Sequence, residues 1–320
     1  MAQAREAPSA KDPLDTILFE SPVVEIGKFR VWPTHPRFHD SGPIERNILV
    51  FPRVLVRIAH EGEEGFVAGP ELVTYYNQGQ VYRRDSVNGS PDRCEWFAFS
   101  PDVLSDALAS LDPLSAEQTM APFRFSYGPG DPRCYLRQRR IVDALSADPK
   151  LDPMEVEEES MGVLADLLSR AYREHGEGWF SATSPADSSR KRDRSLAEDA
   201  KVAVGKIFRH HVPLSEIAAS LGVSVFRLCR AFRRATGSTL HGFRNRLRLA
   251  ASLERIGRRS FDLTDIALDL GYSSHSHFTA AFRREFGVTP SAFRRRSLPQ
   301  RADSSAPRPE IGGRRGSEGA

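Results

Sequence analysis

The sequence is short of the features that most directly announce chemistry. Its 320 residues hold 3 cysteines, Cys94, Cys134 and Cys229; they lie far apart without CxxC spacing, so neither a disulfide framework nor a zinc knuckle is indicated. No apolar run approaches the roughly 20 residues that cross a bilayer, so no membrane partner is expected. The opening MAQAREAPSAKDPLD has no apolar segment of signal-peptide length, nothing there directs export, and a reducing cytoplasm is the expected location. No phosphate-cradling glycine loop, nucleophile elbow or HxH with a suitably spaced Glu occurs. His275 and His277 are two apart on an expected helix and point to different faces, so they cannot clamp a metal as an i, i+4 pair does. The expectation is no enzyme, no metal and no cofactor.

What is present is a division of charge. Residues 1–193 hold 22 Lys and Arg against 31 Asp and Glu, whereas residues 194–296 hold 19 against 8, so a body of net −9 precedes a segment of net +11. Such a break fits an acidic body carrying a nucleic-acid-binding module.

The expected fold class is α+β: an N-terminal β-barrel with helices in residues 1–179, a flexible linker at 180–194, an all-α domain at 195–296 and a disordered tail at 297–320. The linker expectation rests on FSATSPADSSRKRDR, which has no apolar period. Between Asn47 and Ser100 the runs NILVF, VLVRIAH, ELVTYY, QVYRRD and CEWFAF are separated by turn clusters, the pattern of a small antiparallel sandwich or barrel. Helical period follows at 133–145 and at 154–175, the latter with Asp152 and Pro153 at its start. Its apolar face, Met161, Leu164, Leu168, Ala171 and Tyr172, either packs on the barrel or pairs with a second subunit. Trp32, His39, Tyr75, Tyr76, Tyr82 and Trp96 are candidate lining for a small-molecule pocket, while Phe97 and Phe99 alternate with Trp96 and face the other side. His35 and His39 are the close histidine pair of the barrel region, too few for a metal site.

The second half contains a repeat. Leu214, Ile217, Leu221, Gly222, Phe232, Gly237 and Phe243 align with Leu263, Ile266, Leu270, Gly271, Phe282, Gly287 and Phe293, with one residue inserted in the second copy. Each copy reads as a short helix, a Gly-containing turn and a second helix, and LHGFRNRLRLAASLERI connects them as one amphipathic helix. Ser195 with Glu198, Asp262 with Asp265, and Thr289 before Pro290 mark helix starts. A second helix of this kind fits the major groove of B-DNA. Phe226, Arg227 and Arg230 face outward from the first copy, where an aromatic suits a thymine methyl and an arginine a guanine; His275, Ser276 and Thr279 do so from the second. Arg234, Arg244, Arg248, Arg283, Arg284, Arg294 and Arg295 are expected near phosphates, and Ser274 is a further candidate DNA contact. Cys229 reads as packing or DNA contact.

With its repeat, connecting helix and closing GYSSHSHFTAAFRREFGVTPSAFRR in order, the region 195–296 resembles the AraC/XylS-type transcription regulators. The resemblance implies two recognition helices in successive major grooves of double-stranded promoter DNA. It implies base contacts by Phe226 and Arg230 in the first unit and by His275, Ser276 and Ala280 in the second; Ala280 is short where family members can carry a longer polar side chain. The N-terminal half is similar to the cupin-type effector domain of such regulators, which implies an unknown small-molecule effector, a homodimer, and RNA polymerase as a further partner. Two alternatives remain on the residues alone: an enzyme carrying a DNA-binding domain, and an interaction protein whose pocket is vestigial.

Overall fold

Apolar side chains at alternate positions fold the N-terminal half into sheets. The structure is a computed structural model that describes residues 14–148, 151–175, 186–257 and 261–297. The described strands are β1 (Asp15–Glu20), β2 (Val24–Val31), β3 (Asp40–Ser41), β4 (Ile48–Pro52), β5 (Val56–His60), β6 (Phe66–Ala68), β7 (Leu72–Tyr76), β8 (Tyr82–Ser86), β9 (Asp92–Phe99) and β10 (Tyr127–Pro129). They form a six-stranded sheet in the order β1-β2-β9-β4-β7-β10 and a four-stranded sheet in the order β3-β8-β5-β6. The five apolar runs fall on β4, β5, β7, β8 and β9; β1 and β2 lie before the region read as strands. The sheets do not close into the expected barrel, because among the described residues no strand of one pairs with a strand of the other. Pro52 and Pro129, at the ends of β4 and β10, lack the N–H that could carry a ladder onward.

The six-stranded sheet is buried on both faces. Val24, Ile26, Leu49, Phe51, Val73, Tyr75, Phe97 and Phe99 face a layer of helices, and each such side chain stabilises the fold by about 1.5–3 kcal/mol. These helices are α1 (Pro101–Ala109), α2 (Pro113–Ala116), α3 (Pro132–Ala147) and α4 (Pro153–His175). Each begins on a proline, whose missing N–H costs nothing in a first turn, and Ser100, Asp112, Asp131 and Asp152 cap them. On α4, Leu164, Leu168 and Ala171 are buried beneath the sheet, whereas Met161 of the expected face is 36% exposed.

The C-terminal half is helical: α5 (Ala186–Ile207), α6 (Leu214–Ser220), α7 (Val225–Thr236), α8 (Leu240–Ile256), α9 (Leu263–Asp269), α10 (His275–Phe286) and α11 (Pro290–Ser297). Helix α5 corrects the linker expectation, since it already begins at Ala186 and Ser195 lies in its interior rather than at its N-cap. From Ser189 to Leu196 the side chains are exposed or half-buried, so no apolar period shows there; burial starts at Ala197 and continues at Ala200, Lys201 and Val204. The rest of the expected linker, 180–185, and the tail from 298 lie outside the described residues.

Both helix pairs pack onto the N-terminal half. The core of α5, α6 and α7 takes in Leu55, Val67 and Val87 from around the four-stranded sheet. The core of α8, α9 and α10 is continuous with the cluster beneath the six-stranded sheet, which includes Tyr135, Leu136 and Ile141 of α3.

Candidate nucleic-acid interface

The two units are built alike in the glycines of their turns and in the starts of their second helices. Gly222 (φ 65) and Gly271 (φ 80) close the turns after α6 and α9, and Gly237 (φ 67) and Gly287 (φ 76) end α7 and α10, all in the left-handed region that glycine enters without strain. The inserted residue sits in the second turn, between Leu270 and Ser274. Ser224 Oγ accepts from the Arg227 amide at 3.2 Å and Ser274 Oγ from the His277 amide at 3.1 Å, so both second helices start on a serine cap. Leu228 and Phe232 are buried, with Phe232 against Phe243; in the second unit Phe278 and Phe282 are buried, with Phe282 against Phe293. Each outer face is thereby fixed in direction by its own inner face.

From α7 the structure presents Phe226, 74% exposed, with Arg227 and Arg230 also exposed. No acidic side chain occurs on this helix. From α10 it presents His275, Ser276, Ala280 and Arg283, and these share a shallow concave surface with Thr279 and Arg284. His275 Nε2 lies 3.5 Å from Thr279 Oγ1, which places the two on one face a turn apart. The acid of this helix, Glu285, is occupied by Arg246 at 3.3 Å. His277 turns back instead: its Nδ1 is 3.1 Å from Ser273 Oγ and its ring stands edge-on to Tyr272.

Several arginines expected at phosphates hold the fold together. Arg248 is buried and donates to the carbonyls of Phe208 (2.6 Å), Gly271 (2.8 Å) and His210 (3.3 Å), tying the end of α5 to the turn after α9. Arg244 donates to Val212 O at 3.4 Å, and its counterpart in the repeat, Arg294, donates to Phe261 O at 2.7 Å and Ile256 O at 2.9 Å. Both thus fasten the segment that leads into the short first helix of their own unit. Arg234 pairs with Asp193 of α5 at 3.0 Å. Long-range carbonyl acceptors of this kind leave no trace in helical periodicity, so these residues read as free cations from sequence.

A second feature lies between the sheets, a cavity of about 340 Å³. Tyr76, Tyr82 and Trp96 line it; Tyr75 faces the helices, and neither Trp32 nor the half-exposed His39, paired with Asp85 at 3.2 Å, reaches it. Its polar members, Arg84 and Asp92, carry no sequence signal beyond alternation: Arg84 is two residues from Tyr82 and Asp92 two from Cys94, so each shares that neighbour's face. Arg84 is 1% exposed, with Nε 2.9 Å from Asp92 Oδ2 and the guanidinium 4.6 Å from the Phe29 ring centre. Its Nη2 donates to the Tyr82 hydroxyl. Burial pushes the Asp92 carboxyl up against the opposing pull of Arg84. Burial likewise raises Asp15, which accepts from Trp96 Nε1 at 2.8 Å, and holds the Cys94 thiol well above its ordinary range, so it stays protonated and unreactive. Among the described residues no group of three or more His, Cys, Asp or Glu could hold a metal ion, and no helix is long and apolar enough to cross a membrane.

Strand β9 joins cavity and helices. Asp92, Cys94 and Trp96 face the cavity, while Arg93 and Glu95 emerge on the opposite face. There Glu254 of α8 meets Arg53 (3.1 Å), Arg139 (3.2 Å) and Arg93 (3.3 Å), and Arg139 is shared with Glu95 at 3.2 Å. Burial alone would push the Glu254 carboxyl up, but Arg53, Arg139 and Arg93 outweigh it and hold the group below its ordinary value. A second tie joins α5 to β6, where the Val67 amide donates to Glu198 and Lys201 Nζ donates to Val67 O at 3.4 Å.

Residues 217–296 match the family model described as a helix-turn-helix domain. The chain is similar to the regulatory protein SoxS of Salmonella typhimurium, 39% identical over 80 residues that make up 25% of this chain and 75% of that protein. It is 32% identical over 87 residues to the HTH-type transcriptional activator RhaS of Klebsiella pneumoniae, covering 27% of this chain and 31% of that one. Among solved structures, the C-terminal domain of AraT, a response regulator from Geobacillus stearothermophilus, overlays at a TM-score of 0.31 with 22% identity, covering 39% of this chain and 98% of that one. Unsaturated fatty acid bound ToxT from Vibrio cholerae overlays at a TM-score of 0.34 with 12% identity, covering 85% and 94%.

Proposed function

We propose, from the premise that this chain belongs to the AraC family of DNA-binding transcription regulators, that α7 and α10 enter successive major grooves of promoter DNA and that a small-molecule effector in the N-terminal half controls how they are presented. The observation that carries the reading is the duplicated capped helix, with a basic or hydrogen-bonding outer face and a buried aromatic inner face in each copy. Phe226 and Arg230 then read bases in one groove, and His275, Ser276 and Thr279 in the other, while Arg227 and Arg283 lie near phosphates.

The paired sheets serve as a cupin-like chamber for the effector. Occupancy bears on Asp92, Cys94 and Trp96, and the same strand carries Arg93 and Glu95 to the Glu254 cluster of α8. A ligand that shifts β9 therefore shifts the domain that holds the recognition helices. A second copy of this chain and RNA polymerase are the partners that accompany this reading, in the cytoplasm. Selection of binding sites from random duplexes by the full-length protein tests it. The expected product is a site with two conserved blocks about 10 base pairs apart; recovery of unrelated sequences at physiological salt would refute it.

A further inference from the structure

The cavity between the sheets has an unusual inventory of charge. Five acids line it, Asp15, Glu25, Asp40, Glu45 and Asp92, against three arginines, Arg37, Arg46 and Arg84. Arg46 is taken by Glu25, and the Arg84 charge is already matched by Asp92 at 2.9 Å. An anionic ligand would thus enter a chamber with no uncommitted cation at its inner end and a surplus of carboxylates at its walls, and would be desolvated without compensation.

Yet hydrogen-bonding capacity at that inner end is unspent. Arg84 is 1% exposed, its Nη2 is used by Tyr82, its Nε faces Asp92 as an ion pair without a hydrogen bond, and its Nη1 has no hydrogen-bond partner; the Thr74 hydroxyl of the same lining has none either. A guanidinium N–H is a donor only, so what satisfies it is an oxygen or nitrogen lone pair. Around it the walls are aromatic and aliphatic: Phe29, Tyr76 and Trp96 with Ile48, Val50 and Ile58. A volume of about 340 Å³ is at the small end of ligand pockets and suits one or two rings.

We propose that this cavity takes an uncharged one- or two-ring aromatic compound whose carbonyl or hydroxyl oxygen accepts a hydrogen bond from Arg84 Nη1. The inference rests on the reading of the cavity as the effector site and adds the chemical class of the ligand. The oxygen completes the guanidinium's set of acceptors, and the rings displace water from an apolar wall. The Arg84–Asp92 pair stays internally neutral throughout, so binding requires no change of protonation.

The test is calorimetric titration of the full-length protein with two probes of nearly equal shape, 2-acetylnaphthalene and 2-naphthoate. The neutral ketone is expected to bind at least tenfold more tightly than the anion. Because Arg84→Met alone would strand a buried carboxylate, the donor is removed in the double variant Arg84→Met/Asp92→Asn, which should weaken the ketone about ten- to hundredfold, the worth of a hydrogen bond to a charged donor. Ile48→Trp, which fills the cavity and leaves Arg84 in place, should abolish binding of the ketone. Failure of the ketone to bind, or ketone affinity unchanged in the double variant, would overturn the proposal. Tighter binding of naphthoate that Ile48→Trp abolishes would overturn the ligand class and leave the cavity as the effector site. Binding of either probe that Ile48→Trp does not weaken would remove the cavity from the effector reading, with DNA recognition unaffected.

Discussion

Replacing Glu254 by Gln removes the one negative charge that α8 offers to three arginines of the N-terminal half. The side chains involved are mostly dry: Arg139 is 5% exposed, Arg53 13% and Glu254 itself 20%, while Arg93 is 35% exposed and contributes little after solvent screening. Breaking one partner out of a buried ion pair costs about 3–5 kcal/mol. Glu95 remains to hold Arg53 and Arg139, and Glu254 is partly wet, so a loss of about 2–3 kcal/mol is expected for Glu254→Gln. Urea unfolding of the full-length protein reads this directly, and a transition that splits in two would show that the halves have come apart. The pH dependence gives a second handle. The folded carboxyl lies below its ordinary value of 4.5, so its contribution is complete above that pH and is lost as the pH falls through the folded value. Wild type and variant should therefore differ by a constant amount from about pH 5.5 to 8 and converge progressively as the pH falls from about 4.5 through the lower folded value. Equal stability at pH 7, or a difference that persists undiminished at the acid end, would refute the assignment of this cluster as a tie between the halves.

Other outcomes separate structural arginines and glycines from their look-alikes. Arg248→Ala should destabilise the helical half by about 3 kcal/mol, since three carbonyls lose a charged donor, and should leave the salt slope of DNA binding by folded protein unchanged. Arg283→Ala should leave the unfolding midpoint in place and lower that slope by about one, which titration against salt measures. Gly271→Ala and Gly222→Ala share a positive φ, but an added Cβ at Gly271 would sit 2.3 Å from Arg209 O, and at Gly222 it would meet nothing within 4 Å. Thermal melts should show Gly222→Ala costing about 1 kcal/mol, the left-handed backbone penalty alone, and Gly271→Ala clearly more.

The helix pairs were legible in the sequence because what sets them is local, a glycine at each turn and aromatic residues at helical spacing; the serine caps of α7 and α10 emerge only with the structure. The strands were legible for the same reason where alternation was strong, as in CEWFAF, whose Trp96 and Phe97 do face opposite sides of β9. What could not be read is set by partners distant in the chain. Arg248 looks like any basic residue of an amphipathic helix until Phe208, His210 and Gly271 bring their carbonyls to it. Helix α5 hid behind a polar first segment whose helicity owes nothing to apolar period. The polar heart of the cavity, Arg84 with Asp92, needed the pairing of β8 and β9 with their own sheets and the stacking of those sheets before two exposed-looking charges became a buried pair.

The central claim is that α7 and α10 read one groove each. Base-interference mapping on a selected site, with wild type, Arg230→Ala and the double variant His275→Ala/Ser276→Ala side by side, tests it most directly. Wild type should be sensitive in two blocks about 10 base pairs apart. Arg230→Ala should lose sensitivity in one block alone, at a cost of about 1–3 kcal/mol, and the double variant in the other alone. Loss from both blocks together in either variant, or from neither, would contradict the account.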